Sequence, residues 1–404
     1  MKKLSLYFIA GLITLAAVTV YSCKKINAIN NNTVVETPYS LYFSDTSGTL
    51  FVSTDGKNRT AIFPPDGKPC RSLVTSGENI LWAKDSLYFS SNNGVNFNHS
   101  FDSLYWTSDM SVVPNLPIYL NQSMMINCAA WGNRVYAASR ASSMRLSDGT
   151  VLTNLMGLTY SDGNGALGTW TLENSYDTIP GLGSTGRLPI YMYSFTQLKN
   201  GYLCGLAFET PATKLPSTMY RYERNFYKAA KDQQWKEVTG NPDGVITLGT
   251  GNASGIPLPP HASAPTASFF TLGHYNNRLI AIDEKGANGA WYSDDFGANW
   301  AQYTGLPAGR PLLCVASPFE EVALIGTDSA GLYIYNNNTG VWQPNNNGLA
   351  SNLIVRNIAF KETIFKNGTV KKYVYIATNQ GIFQSVDDGA NWVLTIPGNY
   401  VSVY

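Results

Sequence analysis

The stretch Ser293-Asp294-Asp295-Phe296-Gly297-Ala298-Asn299-Trp300 returns ninety-two residues later as Ser385-Val386-Asp387-Asp388-Gly389-Ala390-Asn391-Trp392. Both copies read S-x-D-x-G-x-N-W, and each follows a short apolar strand, Gly289-Ala290-Trp291-Tyr292 and Gly381-Ile382-Phe383-Gln384. An alternating strand that runs into a tight turn needs a residue tolerant of positive φ, which Gly297 and Gly389 supply. Asp295 and Asp387 can accept hydrogen bonds from the amides of the turn itself. Trp300 and Trp392 then open the next strand with a large apolar face that covers the hairpin. Carboxylates in this setting could instead serve catalysis or bind a metal, but turn-fastening accounts for them without either.

The rest of the chain reads as weaker copies of this unit. A repeat of about 40–50 residues is the length of one four-stranded propeller blade. Six complete copies can be traced, at 70–101, 124–173, 190–239, 268–304, 312–343 and 354–395. In the first, Asn92 and Phe97 stand where the repeat has Asp and Trp. Residues 40–64 supply only three strands, and Tyr400-Val401-Ser402-Val403-Tyr404 is a lone strand after the last complete copy. Pairing this last strand beside Ser40–Ser44 completes a first blade and removes the exposed edges of an open array. The expectation is an all-β, seven-bladed β-propeller over residues 39–404.

Composition agrees with an all-β chain: aromatics make up 13% of its 404 residues, and Gly and Asn fall in short clusters. Charge is sparse and balanced, with 28 basic against 27 acidic residues. Nucleic acid and anionic membrane surfaces both favour a basic excess, so neither is expected as a partner. The three histidines, His99, His261 and His274, are scattered, and Cys70, Cys128, Cys204 and Cys314 form no C-x-x-C pair. No metal and no cofactor is expected. Each of these cysteines sits in an apolar strand pattern, so buried free thiols are expected rather than disulfides.

Lys2 and Lys3 precede a nearly unbroken apolar run from Leu4 to Val20, a targeting segment rather than part of the fold. It ends in Val20-Tyr21-Ser22-Cys23, which resembles a bacterial lipobox. That resemblance implies cleavage before Cys23 and lipidation of its thiol, so residues 1–23 are a lipoprotein signal peptide with its lipobox cysteine, Cys23 is the mature N-terminus, and the protein is held on a membrane of the cell envelope, the outer membrane being the expected one. Residues 24–38 are polar and Asn-rich and read as a tether. A monomer is expected.

The S-x-D-x-G-x-N-W stretch resembles the Asp box of sialidase-like propellers (the BNR repeats, also found in sortilin-like proteins). In that family the box is structural and lies on the hairpin between the third and outer strands, which here assigns Ser293, Asp295, Gly297, Trp300, Ser385, Asp387, Gly389 and Trp392 a structural role. Sialidases add an F/Y-R-I-P motif and six blades; this chain has no such motif. Other Asp-box glycosidases use two carboxylates about 5–9.5 Å apart, for which Asp109, Asp148, Asp177 and Glu209 are the candidates here. A third group of relatives binds ligands or assembles proteins without chemistry.

Connections in a propeller alternate between two faces. Five of the six long insertions, at 102–123, 140–155, 174–189, 209–217 and 240–267, fall on the face opposite the repeated turns, and only 361–371 falls beside them. Loops on a rigid scaffold carry function. The insertion-bearing face would present Trp106, Asp109, Tyr119, Arg140, Arg145, Asp148, Tyr176, Asp177, Arg187, Tyr191 and His261, and rings beside carboxylates and arginines suit a glycan or peptide. The reading that follows is a ligand-binding envelope lipoprotein without catalysis, its ligand a glycan or an envelope protein. The alternatives are a glycoside hydrolase and an envelope scaffold.

Overall fold

A computed structural model describes residues 35–100 apart from 69, 71, 77, 85 and 86, then 118–120, 125–131, 134–145, 151–175, 188–189, 192–209, 220–231, 233, 235–237, 245–247, 270–286 and 289–404. Seven antiparallel blades form a ring. Blade I joins both ends of the chain: Tyr400–Val403 is its inner strand, followed by Leu41–Asp45, Leu50–Ser53 and Thr60–Phe63. Blade II starts at Ser72, III at Met125, IV at Met192, V at Phe270, VI at Leu312 and VII at Val355, each a run of four strands in chain order.

The expected closure is as read from the sequence. Phe43 lies opposite Val403, and Ser44 opposite Ser402. Their serine hydroxyls meet at 2.7 Å. Tyr42 and Tyr404 exchange both backbone hydrogen bonds, at 2.9 and 2.7 Å. Tyr400 and Val403 are fully buried against Leu41, Phe43 and Tyr375, so the last residues of the chain are core.

Between blades the core is aromatic and aliphatic, and it recurs in one pattern. The aromatic residue that opens an outer strand packs against the preceding blade, not only over its own hairpin. Trp392 of blade VII sits among Leu324, Leu332 and Leu353. Trp342 of blade VI lies with Ile280, Ile282 and Tyr303 of blade V, and Trp235 of blade IV with Tyr136 and Leu158 of blade III. Trp170 of blade III donates its indole N–H to Ser100 of blade II at 3.0 Å. Each such ring removes apolar surface from water at the joint between two blades, worth about 1.5–3 kcal/mol for a large side chain. Cys70, Cys128, Cys204 and Cys314 are buried and unbridged. Burial raises all four thiols, Cys70 to about 11 and the others to about 12.

Two expectations change. The loop read at 361–371 is a hairpin, because Val355–Phe365 and Val370–Thr378 pair from Val355↔Thr378 out to Ile364↔Val370. The end of the segment read as tether is a strand: Val35–Thr37 adds to that hairpin, with Val35 opposite Phe365. The hairpin edge offers unpaired backbone donors and acceptors, and a polar segment with no apolar period can still satisfy them.

Candidate functional site

On the insertion-bearing face, blades III and IV outgrow the disc as ribbons. Arg134–Arg145 and Val151–Ser161 stay paired to Arg145↔Val151, and Ile118–Leu120 adds alongside, with Tyr119 opposite Ser143. The 140–155 insertion is therefore mostly sheet, not loop. Its signal was the Asp148-Gly149 pair between alternating residues, a hairpin cue. In blade IV, Glu209 pairs with Tyr222, and Val245–Thr247 adds to Tyr220–Tyr222. Asn174–Ser175 pairs with Leu188–Pro189 between blades III and IV.

Among the residues expected on this face, the backbone brings Tyr119 and Arg145 onto one ribbon. Arg140 lies on the same long strand, and Glu209 is at the base of another ribbon. Trp106, Asp109, Asp148, Tyr176, Asp177, Arg187, Tyr191 and His261 lie outside the described residues, as does Cys23. The ribbon Asn174–Ser175/Leu188–Pro189 ends on either side of Tyr176 and Arg187.

The opposite face carries the repeated turns, and their geometry answers the question the carboxylates raised. Ser293 Oγ accepts from the Gly297 amide at 2.8 Å and donates to Asp295 Oδ1 at 2.7 Å. Asp295 Oδ1 accepts the Asn299 amide at 2.8 Å, and Oδ2 the Asn299 side chain at 2.7 Å. The Ser385–Asn391 turn repeats this set, with 2.9 Å to Gly389 and 3.0 Å to Asn391. Gly297 and Gly389 take φ of 99° and 88°. Burial raises the Asp295 carboxyl, but the bonds from Asn299 and Ser293 outweigh it, so it titrates low. Asp387 titrates low through Asn391 and Ser385. Three hydrogen bonds from within the turn hold each carboxylate, which accounts for both acids as turn fasteners.

Three clusters on this face escaped the sequence reading. His274 Nε2 lies 2.7 Å from Glu320 Oε1, and its Nδ1 lies 2.9 Å from Thr196 Oγ1. A carboxylate only accepts, so Nε2 carries a proton. Glu320 Oε2 also accepts the Asn276 amide at 2.6 Å. The result is a clamp across blades IV, V and VI. Phe319 and Glu320 both hold left-handed backbone, φ 53° and 57°, to bring that carboxylate in. Nothing in Ser317-Pro318-Phe319-Glu320 announces this.

The second cluster joins Glu321 of blade VI to Lys372 and Asp388 of blade VII. Lys372 pairs with Glu321 and lowers its carboxyl. Burial, then the Glu321 charge, raises Asp388. Two carboxyls pushed in opposite directions are the arrangement acid–base pairs use, although here Glu321 is solvent-exposed, with 46% of its side chain accessible. The third cluster is a repeated fork. Arg134 and Arg278 each open a second strand, each holds the acid after a repeat serine (Asp162, Asp294) with two nitrogens at 2.7–2.9 Å, and each stacks on the tyrosine before that serine. Among the described residues no cluster of His, Cys, Asp and Glu could hold a metal ion, and no helix is long and apolar enough to cross a membrane.

No protein-family model matches the chain. A xyloglucanase from Paenibacillus sp. is 28% identical over 126 residues, 30% of this chain; the chain spans only 9% of that relative's length. Among solved structures, YCF48 from Cyanidioschyzon merolae is 10% identical, TM-score 0.45, over 83% of this chain and 88% of that one. The extracellular domain of a putative one-component system, BT4673 from B. thetaiotaomicron, is 12% identical, TM-score 0.46, over 89% and 46%. The GH74 enzyme of Niastella koreensis is 11% identical, TM-score 0.27, over 89% and 75%. The chain is a seven-bladed β-propeller.

Proposed function

We propose that this protein is a lipid-anchored propeller of the bacterial cell envelope that binds a glycan on its ribbon-bearing face, without turning it over. The observation that carries the reading is the extra sheet on one side of the disc: blades III and IV each grow a ribbon, and a separate two-stranded ribbon falls between them in the chain. Pairing fixes the spacing of the backbone positions that a ribbon presents. Tyr119 and Arg145 on one ribbon supply the residue types that stack on and hydrogen-bond to sugars. The match to a xyloglucanase supports a β-glucan-like ligand. In this reading the S-x-D-x-G-x-N-W turns are structural Asp boxes, Cys23 carries the lipid, and the protein is a monomer.

The competing reading is a glycoside hydrolase. It is favoured by the same xyloglucanase match and by the opposed shifts of Glu321 and Asp388.

One experiment separates them: tryptophan fluorescence and reducing-sugar release, followed together on xyloglucan oligosaccharides and a panel of envelope glycans. Binding without release is expected, and Tyr119→Ala or Arg145→Ala should weaken it about tenfold each, the scale of a good interface contact. Release that Asp388→Asn or Glu321→Gln abolishes would replace the binding reading with the hydrolase. Silence in both channels would sink both and leave the envelope scaffold.

A further inference from the structure

We propose that the face carrying the repeated turns rests on a lipid surface, with the blade VII hairpin as its foot and the ribbon-bearing face turned outward. This rests on the anchored reading and adds an orientation to it.

Three observations converge. The first is the entry point of the chain: Val35–Thr37, twelve residues past Cys23, pairs with the outer end of the hairpin, Phe365 and Ile364. A lipid on Cys23 would thus be tethered through the eleven residues 24–34 to a point on this face. The second is height. In blade V the inner and second strands join at Asn276-Asn277, right after the Tyr275↔Arg278 pair. In blade VII the equivalent strands continue for three further pairs, Glu362↔Lys372 to Ile364↔Val370, before they turn. At about 3.3 Å per residue the hairpin stands roughly 10–13 Å above its neighbours.

The third is chemistry. Among the described residues, five of the seven exposed large apolar side chains are on this side, the other two, Val393 and Leu394, being on the outer strand of blade VII. Val95, Leu167 and Val386 cap third-to-outer turns of blades II, III and VII, and Phe360 and Val370 are on the hairpin. Apolar side chains 47–75% exposed at turn tips can insert at a lipid interface. Residues 361–372 hold four lysines and one glutamate; Lys366 and Lys371 are exposed at the tip, whereas Lys361 is half-buried at its base and Lys372 pairs with Glu321. The balanced charge of the whole chain conceals this basic tip. A basic hairpin with apolar neighbours is matched to an anionic bilayer surface, where each lysine near the headgroups contributes about fivefold in affinity.

The test uses the full-length acylated protein in vesicles of equal parts phosphatidylcholine and phosphatidylglycerol. An environment-sensitive dye is placed at Thr369→Cys on the hairpin tip, or at Lys285→Cys on the opposite face. The four native thiols of the propeller are buried and leave the label specific. The expected result is a blue shift and quenching by lipid-borne quenchers at position 369 and neither at 285. Reversing Lys366 and Lys371 to Glu should abolish the quenching at 369. Equal quenching at both positions, or quenching at 285 alone, would overturn the proposal, as would quenching at 369 that the charge reversal leaves unchanged. Intact mass reports separately on the anchor: where Cys23 is unmodified, Cys23→Ser keeps the label specific, and quenching retained at 369 would remove the lipid and leave the foot standing.

Discussion

Blades VII and II make the same turn with different fasteners. In both, a buried serine takes the glycine amide four residues on, Ser385 from Gly389 at 2.9 Å and Ser90 from Gly94 at 2.8 Å. Asp387 then holds Asn391 through both its amide and its side chain. Asn92, uncharged, holds the Asn96 amide at 3.0 Å. In blade III Thr169 stands in, its hydroxyl 2.6 Å from Ser161 Oγ. In blade I, one residue shorter, Asp55 accepts the Lys57 and Asn58 amides and titrates well below the usual carboxylate range. The serine is common to all these turns and the carboxylate is not. The serine sets the bend, and the acid fastens the residues after it. The aromatic that follows differs too. Trp392 is 3% exposed against blade VI, whereas Phe97 is half-buried.

This comparison ranks the outcomes of substitution, each read from the midpoint of urea unfolding. Trp392→Ala should cost most, about 3–5 kcal/mol, because it opens a cavity between two blades; Phe97→Ala should cost visibly less. Equal losses would break the argument that the joint, and not the hairpin, is what the ring stabilises. Ser385→Ala should cost about 1–3 kcal/mol by leaving the Gly389 amide buried without its acceptor. The same change at Ser90 should match it, since the bond is the same.

Asp387→Asn should cost least, under about 1 kcal/mol, since Asn92 already shows that an amide oxygen can fasten the turn. Its signature is pH dependence. The folded-state pKa of Asp387 is lowered, so its contribution is present above the unfolded value near 4 and is lost as pH falls through the folded value. The variant should flatten the acid side of the stability profile relative to the parent, and an unchanged slope would show that the carboxylate adds no charge-dependent stability.

Much of the ring was legible from residues. Gly and Asp at fixed offsets after an alternating strand leave few alternatives to a hairpin, and a lone terminal strand with the inner-strand pattern has one unpaired edge to fill. Other features were not legible. The His274–Glu320 clamp joins residues from neighbouring blades, and left-handed backbone at Phe319 and Glu320 has no glycine to signal it. The hairpin at 361–371 reads as a loop in the sequence because Lys361, Lys366 and Lys371 interrupt its apolar alternation.

Local chemistry in the sequence determined where the chain bends and which residues alternate, and so determined seven blades and a closed ring, since a turn needs only its own neighbours. Which blade each tryptophan packs against, where Val35–Thr37 docks, and which carboxylates meet across blades were decided only by the tertiary structure. Those contacts join residues far apart in the chain, and no local pattern encodes the distance between two turns that meet only once the ring has closed.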